Sequence, residues 1–122
     1  MAGAISAVCP SPAEGALRDI ISIDKYLITW PEFSFLVKVR GDSMTGAGIM
    51  DGGMVIVEKG KEPGDGDIVL AEVDGEWTMA YFIRKGKEIV LHASNMKYPT
   101  IRPKNELRLG GVITAVIRKY HL

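Results

Sequence analysis

From residue 33 onward, short apolar runs alternate with turn segments, most of them bearing glycine, and this punctuation constrains the fold more than any other feature. Phe33 to Arg40 alternates, with Phe33, Phe35, Val37 and Val39 on one face. Such a period of two is the signature of a half-buried strand. Met54 to Glu58 reads as a short strand, and Asp67 to Val73 is apolar enough for a strand covered on both faces. Asp74-Gly75 then connects to Glu76–Arg84, a hairpin signal, because both turn positions of such a connection need left-handed backbone. Lys85-Gly86 turns into Lys87–Ala93, and a last strand is expected from about Leu107 to Ile117. The expected fold is mainly β, one compact domain of bent antiparallel sheets.

The N-terminal part departs from that pattern. Residues Met1 to Gly15 are small, polar and proline-bearing, which predicts an extended arm (1–15) ahead of a folded domain (16–122). Leu17 to Ile28 is apolar with an ambiguous period, and a short strand followed by a helical turn, closed by Trp30-Pro31, is expected.

A chain of 122 residues fits one hydrophobic core and not two. Lys+Arg and Asp+Glu both number 15, so net charge draws the chain neither to nucleic acid nor to an anionic membrane. Any grip on DNA then has to come from a partner. The single cysteine, Cys9, has no internal disulfide partner, in keeping with a reducing cytoplasm. No apolar run approaches the ~20 residues that span a bilayer, and a cytoplasmic protein without membrane association is expected.

The chemistry concentrates after the first strand. Arg40 ends the run, Gly41 allows an abrupt turn, and Ser43 falls at the tip while Met44 can pack beneath it. A nucleophilic serine needs such exposure, with backbone N–H groups nearby for a developing oxyanion, here those of Ser43 and Met44. By itself Gly-Asp-Ser-Met is more often an ordinary turn than a catalytic one. The histidines are weaker: Ser43, His92 and Asp51 could be cast as a triad, but no spacing supports it. His121 lies close to the C-terminus. Two histidines and one cysteine have no metal-ligand spacing, and Gly46-Ala47-Gly48 lacks the Gly-Lys-Ser/Thr of a phosphate loop. No metal and no cofactor are implied. Trp77 and Tyr81, both on a strand, are expected in the core.

Taken in order, Gly41-Asp42-Ser43-Met44, Gly48-Ile49-Met50-Asp51-Gly52, Gly64-Asp65-Gly66-Asp67-Ile68-Val69 and Asp74-Gly75-Glu76-Trp77-Thr78 closely resemble the self-cleaving serine-lysine peptidase domain of LexA, UmuD and phage repressors. The resemblance runs from about Pro10 to Ile117 and takes in Asn95 and Tyr98-Pro99. It implies that Ser43 is the nucleophile and that a lysine two residues beyond the threonine of the Asp-Gly-Glu strand is its general base. Here that stretch reads Thr78-Met79-Ala80, so the position of the lysine is held by Ala80. An alanine accepts no proton, and a chain built this way is expected to be inactive in self-cleavage. Ser43 and Ala80 are expected side by side.

The resemblance also implies that the arm is the substrate. Ala2-Gly3 has the residue chemistry of the family's cleavage site, whereas register with the Pro10-Ser11-Pro12-Ala13 stretch points to Ala7-Val8. A UmuD-like role implies a homodimer, a RecA-single-stranded-DNA filament as the stimulator of cleavage, and a translesion DNA polymerase as partner in the SOS response. The alternative is the C-terminal dimerisation and autocleavage domain of a LexA-like or phage repressor, which reaches operator DNA through a further domain. A type I signal peptidase shares the serine-lysine chemistry but needs a membrane anchor. The apolar stretch Gly110–Ile117, whose edge would be sticky if exposed, also points to a dimer.

Overall fold

The computed structural model describes residues 22–104 and 106–121. The arm, both candidate scissile bonds (Ala2-Gly3 and Ala7-Val8), Cys9 and the strand expected after Leu17 lie outside the described residues. The first described element is a single helical turn, α1 (Ile23–Leu27), capped by Ser22, whose hydroxyl accepts from the Lys25 N–H at 3.4 Å. It falls where a helical turn was expected. Six strands follow: β1 (Ser34–Lys38), β2 (Met54–Glu58), β3 (Ile68–Val73), β4 (Glu76–Lys85), β5 (Glu88–His92) and β6 (Leu107–Ile117).

They form one antiparallel sheet in the order β1-β2-β6-β3-β4-β5. The β3–β4 and β4–β5 hairpins are local, built on Asp74-Gly75 and Gly86, all with positive φ. The last strand inserts between β2 and β3 and joins two halves distant in sequence. Its residues Leu107–Val112 pair with β3 and Val112–Ile117 with β2, so Val112 alone has partners on both sides, and among the described residues Ile113–Ile117 keeps one edge without a ladder partner. The sheet edges are β1 and β5. Phe33 also differs from expectation: the strand begins one residue later, and Phe33 closes a 3-10 turn with its ring half exposed. Pro31 at the start of that turn fixes the local backbone.

Strand β6 bends twice. Ile56 and Val57 pair with Ala115 and Ile113, which leaves Thr114 as an extra residue, and Leu70 and Ala71 pair with Gly111 and Leu109, which leaves Gly110. Bulges of this kind increase the local twist and turn a flat sheet into a curved one. Gly111 is required at the second bend: its φ is +153°, and a Cβ there would lie 2.6 Å from the Glu58 carbonyl oxygen.

The curved sheet buries two apolar clusters. The first comprises Val69, Ala71, Ala80, Phe82, Leu91 and Val112, and the second Val39, Met44, Ile49, Val55 and Val57. Strand β3 feeds both, with Val69 and Ala71 in the first and Ile68 and Leu70 against the second. Cover on both faces is the reason for its apolar run Ile68–Ala71. Tyr81 packs against the second cluster, but Trp77 is 53% exposed and is not core. Its ring lies over Gly110, where a Cβ would approach it to 2.9 Å, so the glycine at the bulge makes room for the indole on the surface.

Candidate functional site

The β1–β2 pairing continues past the strand ends: the Val39 N–H donates to the Gly53 carbonyl at 2.8 Å, and the Gly52 N–H to the Val39 carbonyl at 2.9 Å. Residues 40–51 are thereby tied off as a loop projecting from the end of the hairpin. Gly41 enters it at φ +97°, and its N–H donates to the Asp51 carboxylate at 2.7 Å. Asp51 is thus the partner of a backbone amide across the loop base. It does not pair with His92, whose Nδ1 is 3.1 Å from the Thr100 hydroxyl. The hydrogen bonds therefore do not join Ser43, His92 and Asp51 into a triad.

Within the loop the backbone turns at Asp42–Thr45, with the Thr45 N–H donating to the Asp42 carbonyl at 3.3 Å. Ser43 is half-buried in this turn, and Met44 is driven into the second cluster with 1% exposure. Met44 anchors the turn twice, by apolar burial and by its Sδ, which accepts the Ser94 N–H at 3.3 Å. The next turn, Thr45–Ala47, lies against the same segment: the Gly46 N–H donates to the Ser94 carbonyl at 2.7 Å. A Cβ on Gly46 would fall 2.6 Å from that oxygen, so only glycine permits the approach. Among the described residues, the backbone N–H groups of Ser43 and Met44 donate to no carbonyl, and the Ser43 hydroxyl makes no hydrogen bond.

Asp42 is held from the chain that leaves β5. Asn95 Nδ2 donates to the Asp42 carbonyl oxygen at 2.8 Å, Tyr98 Oη to Asp42 Oδ1 at 2.5 Å, and Lys97 Nζ pairs with Asp42 Oδ2 at 2.7 Å. Asn95 Oδ1 in turn accepts the Lys97 N–H at 3.1 Å, and the Tyr98 N–H donates to the Asn95 carbonyl at 3.1 Å. The Lys97 ammonium, and then the Tyr98 hydroxyl, hold the Asp42 carboxyl below the usual carboxylate range. The same contacts raise Lys97 and Tyr98, since each gains its proton's bond to an anion. Asp42, Asn95 and Tyr98 stand in the motifs with no role legible from sequence, and Lys97 stands in none. A single polar residue beside a serine carries no periodicity, and contacts across more than fifty positions leave no local signal.

Position 80 is a different environment. Ala80 pairs with Val69 in the β3–β4 ladder, is 2% exposed, and belongs to the first cluster with Phe82. Its neighbours Met79 and Tyr81 point the other way and pack against the second cluster, the one that holds Met44. Strand β4 therefore serves both clusters, as alternation requires.

A Peptidase S24-like profile matches residues 1–114. The chain belongs to the Peptidase S24-like family. Protein SamA of Salmonella typhimurium is 40% identical over 110 residues, which are 90% of this chain and 77% of SamA. The LexA repressor of Mycobacterium leprae is also 40% identical, over 117 residues, but these are 96% of this chain and only 49% of the repressor. Protein ImpA of Escherichia coli is 32% identical over 111 residues, 90% of this chain and 76% of ImpA. By family this is a serine peptidase fold of the LexA/UmuD type, and members of the family act on their own chains.

Proposed function

We propose that the chain is a UmuD-like accessory subunit of a translesion DNA polymerase in the SOS response, with the nucleophile of a self-cleaving peptidase retained and its general base lost. One observation carries the reading: the Ser43 and Met44 N–H groups have no acceptor among the described residues, whereas Ala80, at the position that aligns with the lysine, lies within an apolar cluster. In this reading the Ser43 hydroxyl attacks the scissile carbonyl, and the two N–H groups receive the oxyanion. The serine proton has no acceptor, because a methyl group stands where an amine is needed. A lysine at position 80 would be surrounded by Val69, Phe82 and Leu91. Burial disfavours its ammonium form and lowers its pKa, which is what a base at neutral pH requires.

The homodimer, the RecA filament as stimulator, the polymerase as partner and a cytoplasmic location belong to the same proposal. The second reading, the autocleavage and dimerisation domain of a LexA-like repressor, is favoured by the equal 40% identity to the mycobacterial repressor. It requires a DNA-binding segment outside these 122 residues, whereas the chain already spans about three quarters of SamA and ImpA.

The deciding experiment is self-cleavage of Ala80→Lys, followed by mass spectrometry with and without a RecA filament on single-stranded DNA. Cleavage that starts with the lysine and stops on adding Ser43→Ala supports the dyad. An Ala80→Lys protein that is folded, carries a cleavable arm extended to the start of its gene, and stays intact from pH 7 to pH 10 refutes it. Loss of residues through Ala2 would select the Ala2-Gly3 bond, and loss through Ala7 the Ala7-Val8 bond. Retention of a translesion polymerase on the immobilised protein, against retention of operator DNA by the gene's full product, separates the two readings.

A further inference from the structure

We propose that Asn95, Lys97 and Tyr98 are positioning residues for Ser43, gripping Asp42 by its carbonyl and its carboxylate so that the N–H groups of Ser43 and Met44 stay open for an anion. The inference rests on the reading of Ser43 as nucleophile and goes beyond it, because it assigns work to three residues that touch no reacting atom.

The turn faces a conflict that these contacts resolve. A four-residue turn leaves its central N–H groups without internal partners, and such groups seek nearby acceptors. The nearest acceptors in sequence are the carbonyl and the carboxylate of Asp42, and an aspartate readily folds back onto the N–H two residues ahead. Here all three Asp42 oxygens already have partners. The carbonyl accepts from Asn95 Nδ2 at 2.8 Å, from the Thr45 N–H at 3.3 Å and from the Thr45 hydroxyl at 3.2 Å. One carboxylate oxygen takes Tyr98 Oη and the other Lys97 Nζ. The aspartate is held by the chain after β5, and the Met44 N–H, two residues on, has no acceptor among the described residues.

Lys97 has a second effect. An uncompensated Asp42 anion beside Ser43 would oppose negative charge on the serine oxygen, and the ammonium at 2.7 Å offsets it. Lys97 cannot replace the missing base, since its pairing with Asp42 stabilises the ammonium form. The grip is fixed to the body of the protein by the Gly46–Ser94 and Ser94–Met44 hydrogen bonds, so the segment after β5 and the serine turn form one unit.

The test uses a thiol as the reporter and requires no cleavage. Ser43→Cys in a Cys9→Ser background leaves one thiol in the chain, and its alkylation by iodoacetamide is followed from pH 5 to pH 10. A thiolate held by open N–H groups titrates below the ~8.5 of a free cysteine. Tyr98→Phe, Asn95→Ala and Lys97→Met should each move the midpoint upward and slow alkylation at pH 7 by about threefold or more, and Lys97→Arg should restore the charge and most of the rate. Near-ultraviolet circular dichroism reports whether each variant keeps its fold, and Tyr98→Phe, which removes one exposed hydroxyl, is the variant least able to disturb it. Midpoints unchanged in Tyr98→Phe and Lys97→Met overturn the proposal, as does a slowing that Lys97→Arg fails to rescue. Failure of Ala80→Lys to cleave would instead count against the dyad alone.

Discussion

The serine turn and position 80 are the two halves of one expected dyad, and the molecule treats them in opposite ways. The turn is a polar construction: Gly41 and Asp51 at its base, Asp42 gripped by Asn95, Lys97 and Tyr98, and one apolar anchor, Met44. Position 80 is an apolar construction, a methyl group at 2% exposure in a strand, surrounded by valines, a leucine and a phenylalanine. The difference shows why a change at position 80 would disturb few neighbours while a change in the turn would disturb many. A small apolar side chain in a packed strand fits without disturbing anything else, whereas the turn depends on contacts from three parts of the chain that stabilise one another. An alanine at position 80 leaves the surrounding apolar cluster closed, whereas a change in the turn breaks several mutually supporting contacts.

The largest expected effect tests the empty half. Ala80→Lys should raise self-cleavage by the ~10²–10⁴-fold that a positioned general base contributes, with a rate that climbs with pH until the amine is fully neutral. The same change inserts a long polar chain into the first cluster, so the unfolding midpoint in urea should fall by the equivalent of about 1–3 kcal/mol. A lysine that cost nothing in stability would show that position 80 opens to solvent, and the contrast between the two halves would lapse.

The cluster around position 80 can be probed directly. Phe82→Ala should destabilise by about 3–5 kcal/mol, because Phe82 is 1% exposed and no neighbour can fill its volume. Trp77→Ala, on the same strand but half exposed, should lose about 1 kcal/mol or less. Equilibrium denaturation of both variants measures the gap, and equal losses would mean that the indole over Gly110 is part of the core after all.

Gly111→Ala addresses the strand that joins the two clusters. The new Cβ would meet the Glu58 carbonyl at 2.6 Å with φ at +153°, and about 1–3 kcal/mol of destabilisation is expected. Thermal unfolding followed by circular dichroism checks it, and an unchanged midpoint would show that β6 relaxes at the bulge without loss.

The smallest effect concerns pH and the polar half. Asp42 is lowered from 3.8, so its contribution is complete above that value and disappears as pH falls through the lower folded-state value. Lys97 and Tyr98 are raised from 10.5 and 10.0, so theirs are complete below those values and disappear as pH rises through the higher folded-state ones. Asp42→Asn should therefore flatten both limbs of the stability–pH curve a little, leaving mid-range stability almost unchanged because the groups are exposed. Two-dimensional NMR titration of the Ser43 and Met44 amides would show the same window locally.

The strands were readable from the chain because their cause is local. Alternation set β1, a short apolar run set β2, the Asp74-Gly75 turn set the β3–β4 hairpin, and β6 was placed at Leu107 to Ile117 as it stands. Sequence motifs in order were also enough to identify the family, to single out Ser43, and to notice the alanine at position 80. Sequence alone could not say that β6 runs through the middle of the sheet, because its partners β2 and β3 lie some forty to sixty residues away and no periodicity records a partner. For the same reason Trp77, chemically a core residue, lies outside over a glycine bulge. The grip of Asn95, Lys97 and Tyr98 on Asp42 is likewise a product of tertiary folding alone. Side-chain type and spacing govern backbone choices within a few residues, but which polar groups meet across fifty is decided only when the sheet closes and brings the end of β5 against the serine turn.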